Sequence, residues 1–178
     1  MVDAEPSVFE LERFSYLDRM VESLCYVFRF IGKQGVQEWH WDTSYPSVEE
    51  RRKALDFLMK NHQRSHFARE YNDMAQGKMM SLKSKIISLD PFMENGIMKV
   101  RGRLENTVLM DNAKHPNILS PDDHLTKLII RKEHQKSLHS RVSQTLELIR
   151  QKHWILKGRQ NVKRIINKCI PCQKVNSR

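Results

Sequence analysis

His134-Gln135-Lys136-Ser137-Leu138-His139, answered downstream by Cys169-Ile170-Pro171-Cys172, is the stretch on which the reading of this chain turns. Four residues separate the histidines, 29 separate His139 from Cys169, and two separate the cysteines. Two imidazoles and two thiols at such spacings are a workable ligand set for one tetrahedral zinc, and four protein ligands leave no open position, the structural rather than the catalytic pattern. Histidines before cysteines is the reverse of the order in a C2H2 finger and argues against a ββα finger. A C-x-x-C turn aims two thiolates at one ion, whereas histidines five apart lie about 140° apart around a regular helix, so the backbone must bend between them. His134 is therefore expected to end a helix.

Working outward, Pro121-Asp122-Asp123-His124 starts a helix with acids in its first turn, and Leu125, Leu128 and Ile129 mark its inner side up to His134. Residues 142–152 form the next helix, with Leu146 and Ile149 inward and Arg150 and Lys152 near its C-terminus, where cations are favoured. His153-Trp154-Ile155-Leu156 reads as a short extended link. Gly158-Arg159-Gln160-Asn161 opens a third helix, with Val162, Ile165 and Ile166 inward, that delivers Cys169 at its end. Three helices of this length enclose little core, so a zinc staple would supply much of their folding free energy.

Further upstream, residues 1–7 are polar and read as disordered. Over residues 9–33, Phe14, Leu17, Val21, Leu24, Phe28 and Ile31 recur at helical spacing, predicting an amphipathic helix that closes at Gly32. Its polar face mixes acids with bases, which favours packing over a lipid surface. Residues 35–46, with Trp39, Trp41 and Tyr45, read as a loop. Ser47-Val48-Glu49-Glu50 is a capping box opening a second helix that extends toward Tyr71. His62 and His66 lie four apart on it, but with no third ligand in view a solvated face is the better reading than a metal site. Ile86-Ile87-Ser88-Leu89-Asp90-Pro91-Phe92 and Ile97-Met98-Lys99-Val100 flank Asn95-Gly96, a strong hairpin turn signal. His115-Pro116-Asn117-Ile118-Leu119 is a further extended piece, with Pro116 suited to a sheet edge.

Charge sharpens the picture. The formal net charge is +10; residues 1–113 hold 16 Lys+Arg and 17 Asp+Glu, a net of −1, so residues 114–178 hold 15 and 4, a net of +11. The whole excess falls on the segment with the ligand pattern, implying a polyanionic partner, nucleic acid before a membrane surface. Three cysteines, two of them in the motif and Cys25 alone on an apolar helix face, make no disulfide framework, so the expected compartment is reducing. No secretory leader and no membrane-length apolar run are visible, so an intracellular protein of nucleus or cytoplasm, not secreted and without membrane contact, is expected.

The run His115-Pro116, Ile118-Leu119, Leu125-Thr126-Lys127-Leu128-Ile129-Ile130, Glu133-His134, Leu138-His139, Thr145-Leu146, Leu148-Ile149-Arg150-Gln151-Lys152, Trp154-Ile155-Leu156, Gly158-Arg159 and Lys168-Cys169 with Cys172 closely resembles the zinc-binding N-terminal domain of retroelement integrases, in the Bel/Pao retrotransposon branch. Upstream, Ser88-Leu89-Asp90-Pro91-Phe92, Gly96-Ile97, Val100-Arg101-Gly102-Arg103-Leu104-Glu105-Asn106 and Ala113-Lys114-His115-Pro116 resemble the segment that precedes this domain in Bel/Pao polyproteins, and Val27-Phe28-Arg29-Phe30-Ile31 resembles the linker after their ribonuclease H region. The resemblance implies His134, His139, Cys169 and Cys172 as ligands of one structural Zn2+, and DNA integration as the process. It implies a three-helix bundle with a helix-turn-helix-like pair; joined to the residue patterns above, the expected fold is mainly α, with this zinc-stapled bundle after a β-hairpin segment and two N-terminal helices. The corresponding segments are 1–76 (helical linker), 77–119 (hairpin extension) and 120–178 (zinc domain). Where the family commonly has two small residues after the second histidine, this chain has Ser140-Arg141, which would sit less easily in a turn needing positive φ.

Three function classes follow. In a DNA-contacting module, Arg141, Gln144, Lys152, Lys157, Arg159, Lys163, Arg164, Lys168 and Lys174 face phosphate. In a protein–protein module, the partners are the integrase catalytic core, other parts of the polyprotein or a second copy in a homo-oligomer, and the basic face is solvated. A self-contained enzyme is disfavoured: after Lys114 the carboxylates are Asp122, Asp123, Glu133 and Glu147, nothing marks them as a two-metal site, and the sequence ends six residues after Cys172, ahead of the position of an integrase catalytic core.

Overall fold

In a computed structural model of the chain, residues 11–32, 45–101 and 115–176 are described. The predicted loop residues Trp39 and Trp41, residues 1–7 and the Gly102–Asn106 words lie outside them. The chain divides into two compact units, residues 1–55 and 56–178.

The first unit holds helix α1, Leu17–Ile31, and the opening turns of α2, Val48–His66. Leu17, Met20, Val21, Leu24 and Cys25 are buried on one face of α1, while Phe28 is half-buried and Ile31 exposed. The helix starts at Leu17, not at residue 9; a short 3-10 turn, Leu11–Arg13, precedes it. Gly32 follows as its C-cap. The capping box forms as read: the Ser47 N–H donates to Glu50 Oε2 at 2.6 Å and the Glu50 N–H to Ser47 Oγ at 3.2 Å. Glu50 has a second task, since Arg29 donates to both its carboxylate oxygens, at 2.6 and 2.8 Å. The guanidinium, followed by the capping bonds, offsets burial and holds the Glu50 carboxyl down at about 2.

In the second unit α2 breaks at Phe67 and resumes as α3, Ala68–Ala75. One continuous helix toward Tyr71 was expected. Phe67 leaves helical geometry (φ −130°, ψ 40°), and it is buried in a core with Tyr71, Ile86, Met98, Val100 and Ile118. The hairpin is as read: β1, Pro91–Glu94, pairs with β2, Ile97–Val100, through Asn95 and Gly96, both at positive φ, as a two-residue type I′ loop requires. The Tyr71 hydroxyl donates to the Gly96 carbonyl at 2.8 Å and anchors the turn to α3.

The hairpin belongs to a larger sheet. Strand β3, Asn117–Leu119, lies antiparallel to β2, and β4, His153–Ile155, lies parallel to β3, giving the order β1-β2-β3-β4. Thus the segment expected at an edge is an inner strand. Pro116 sits just before it, where its missing N–H costs nothing, and its carbonyl accepts the Val100 N–H at 3.0 Å. The extended link 153–156 is likewise a sheet strand at its first three residues. Register alone makes one β2–β3 pair, Lys99 with Asn117; the buried amide of Gln63 supplies more. Its Nε2 donates to the Met98 and Ile118 carbonyls at 2.8 and 3.0 Å, and its Oε1 accepts the Met98 N–H at 2.7 Å.

After the sheet comes the helical bundle: α4, His124–Lys136, α5, Val142–Arg150, and α6, Gly158–Ile166. Leu125, Leu128, Ile129, Leu146, Ile149, Val162 and Ile166 are buried. A Cβ at Gly158 would come within 3.1 Å of Leu146 Cδ1, so glycine permits the close approach of α6 to α5. A further short helix not foreseen from sequence, α7, Ile170–Asn176, carries Pro171 in its first turn, where proline is tolerated. The described residues are mostly helical with one small sheet. The sequence segments break at 76/77 and 119/120, whereas the compact second unit begins within α2, because Gln63, Phe67 and Tyr71 build the sheet's support and β4 inserts into that sheet.

His153, on β4, is buried, and its Nδ1 has no hydrogen-bond partner. Burial first, then the charges of Lys152 and His62, push its pKa from 6.5 down to about 4. A histidine held neutral in the fold stabilises fully above its unfolded value of 6.5, and that stability is lost as pH falls toward about 4. The loss is about 3 kcal/mol at most. Denaturant midpoints at saturating zinc should therefore fall on acidification through this window, and less steeply in His153→Phe. Parallel pH profiles would show that His153 is not responsible.

Candidate metal centre

The four motif residues converge. His134, in the last turn of α4, presents Nε2 at 3.2 Å from His139 Nδ1 and 3.2 Å from Cys172 Sγ. Cys169 Sγ and Cys172 Sγ lie 3.3 and 3.8 Å from His139 Nδ1. Zn–N bonds of about 2.0–2.1 Å and Zn–S bonds of about 2.3 Å make tetrahedral edges of roughly 3.3 Å between nitrogens and roughly 3.6 Å between nitrogen and sulfur. The observed spacings fit that figure.

Local backbone chemistry brings the ligands together. Helix α4 runs to Lys136, and Leu138 and His139 then take left-handed conformations, φ 53° and 61°. That two-residue reversal is the bend required between the histidines, and the His139 N–H donates back to the His134 carbonyl at 2.9 Å. Positive φ falls on residues 138 and 139, not on Ser140-Arg141, so the departure from the family's small pair places no strain where it was expected. Ser140 instead hydrogen-bonds through Oγ to Ser137 Oγ at 2.7 Å and Thr145 Oγ1 at 3.0 Å, tying the turn to α5.

The electrostatics suit a cation with two neutral and two anionic ligands. Burial, then the neighbouring His139, lowers the His134 pKa and favours the neutral, ligating imidazole. Burial, then the Cys169 thiol, raises that of Cys172, so adjacent thiolates need a positive charge between them. Of the four, His134 is buried, Cys169 and Cys172 are half-buried and His139 is exposed.

A second cluster corrects the reading of His62 as part of a solvated face, while His66 is exposed. His62 is buried, and Asp123, read only as a first-turn acid, supplies the missing third group: His62 Nδ1 and His66 Nε2 lie 2.9 and 3.1 Å from its two oxygens. The Ser120 N–H donates to His62 Nε2 at 2.9 Å, which leaves the ring proton on Nδ1, pointing at Asp123. A metal at Nδ1 would force the proton onto Nε2 against that N–H, so the network is complete without an ion. Asp123 also accepts the Leu125 N–H at 2.8 Å as the N-cap of α4, and its carboxyl lies well below the usual range: burial opposes, but both histidines and this N–H overcome it. The signal available in sequence was the i, i+4 histidine pair.

All nine residues expected to face DNA are exposed. Arg141 and Gln144 lie at the start of α5, Lys152 before β4, Arg159 and Lys163 four apart on α6, and Lys168 and Lys174 around the cysteines. Lys157, at the N-cap of α6, is left-handed at φ 52°. Arg164 donates to Asn161 Oδ1 at 2.7 Å and meets Asp122 Oδ1 at 3.4 Å.

Geometry thus defines a closed His2Cys2 structural zinc site on a small helical bundle. Residues 121–178 match the family model of the integrase zinc binding domain. No curated protein and no solved structure matches the chain. No helix among the described residues is long and apolar enough to cross a membrane.

Proposed function

We propose that this chain is the nucleic-acid-contacting zinc module of a retroelement integrase of the Bel/Pao type, acting in DNA integration by holding DNA and not by catalysing strand transfer. The observation that carries the reading is the coincidence, in one segment, of the integrase-type zinc site and a net charge of +11 (15 minus 4 over residues 114–178). Zinc ties the end of α4 and the turn into α5 to the segment that runs from the end of α6 into α7, and the exposed cations of these elements meet phosphate. Such binding is dominated by counterion release, so affinity for a short DNA duplex should fall steeply with salt, with a log–log slope of about −0.9 per phosphate contacted. Titrating the duplex at low and moderate salt tests this, and no binding even at low salt contradicts it.

One observation favours the alternative of a protein–protein module, with the integrase core or a second copy as partner. Leu138, Ile170 and Val175, all next to or near zinc ligands, are 90%, 65% and 74% exposed. Concentration-dependent self-association without DNA binding would select that reading.

A further inference from the structure

A cleft of about 650 Å³ in the second unit crosses the border of the family match. It is lined from upstream by Lys83 and Lys85 and from within the zinc domain by Lys157 and Arg164. Two carboxylates, Glu70 and Asp122, share the lining, so the formal balance is four cations against two anions, or +2. Both carboxylates have partners: Ser84 Oγ donates to Glu70 at 2.7 Å, and Arg164 meets Asp122 at 3.4 Å. Lys83, Lys85 and Lys157 have no acidic partner among the described residues. Arg164 is held at the wall by Asn161, itself only 6% exposed.

We propose that this cleft binds the phosphodiester backbone of a nucleic acid, gripping phosphate between the 83–85 segment and the start of α6. The volume suits a nucleotide-sized group, and the lining is too charged for an apolar ligand. Three unneutralised ammonium groups around one opening repel one another, and an anion relieves that repulsion. A polymer is preferred to a free anion because exposed Arg159 and Lys163 carry positive charge onward along α6, so one strand can occupy the cleft and lie on the helix. Lys157 adds an independent mark: a left-handed lysine stands at the N-cap of α6, where glycine or asparagine would be easier. The inference rests on the nucleic-acid reading above and extends it to residues outside the integrase-type domain.

The test measures duplex affinity of the full chain by fluorescence anisotropy over a range of salt. Lys83→Gln/Lys85→Gln combined with Lys157→Gly should weaken binding roughly ten-fold at about 0.1 M salt and flatten the salt slope by about 0.9 for each phosphate released. Zinc content should be unchanged, and Lys157→Gly alone should melt at the same or a higher temperature, because glycine relieves the left-handed backbone. Wild-type binding that the triple variant matches in affinity and slope would overturn the cleft and leave the proposed function standing. A wild type that binds no duplex at any salt would overturn both.

Discussion

Cys169→Ser should release the zinc and melt the helical bundle while leaving most of the Phe67–Ile118 core in place. The three bundle helices have 13, 9 and 9 residues, at or below the length at which an isolated helix holds in water. Their shared core is small, and the reversal at Leu138 and His139 places two side-chain-bearing residues in left-handed geometry, each costing about 1–2 kcal/mol. Against this, structural zinc in finger peptides supplies roughly 10–16 kcal/mol, nearly all of it folding free energy. Serine keeps the size of the side chain but is a poor zinc ligand at neutral pH, so most of that contribution is forfeited. Circular dichroism should show a loss of helix, and amides of α4 to α6 should exchange far faster than those of β1 and β2. Full helix content and unchanged protection in the variant would contradict a zinc-dependent bundle.

Gln63→Leu should cost about 4 kcal/mol without touching any apolar contact of similar size. The glutamine amide satisfies one buried N–H and two buried carbonyls on neighbouring strands, and Gln63, Met98 and Ile118 are each 0% exposed, so water has no direct route to replace it. Each backbone group left unpaired costs about 1–3 kcal/mol. Gln63→Glu should be no better, because a carboxylate keeps the acceptor for the Met98 N–H but faces two carbonyls without a proton to offer. Urea midpoints for wild type and variants, at constant m-value, measure the loss. A Gln63→Leu chain within about 1 kcal/mol of wild type would show that the β2–β3 pairing does not depend on this side chain.

These two effects differ in how visible they were beforehand. The zinc ligands, the Asn95-Gly96 turn and the Ser47–Glu50 capping box are local patterns, in which residue type and spacing alone impose the geometry. Gln63 is one polar residue on a helix; nothing in its neighbourhood announces that it will lie between two strands more than 30 residues away. Strand β4 has three residues, and its parallel pairing with β3 is purely tertiary, so His153-Trp154-Ile155 could be read as extended but not as part of a sheet. The role of Asp123 was hidden for the same reason: the helix start was legible, but neither its place as the N-cap nor its bonds to His62 and His66 were. The break at Phe67 reflects burial of an aromatic ring overriding helix propensity. Residues around Ser140 show the opposite error, a family pattern suggesting strain that the backbone places two positions earlier.

The most direct measurement is the metal content of the purified full chain by elemental analysis, paired with helix content before and after a strong chelator. One zinc per chain is predicted, since the His62–Asp123–His66 network is already proton-satisfied, together with a fall in helix content when the chelator removes it and recovery when zinc is restored. A chain that carries no zinc, or that keeps all its helix once zinc is removed, would contradict the account.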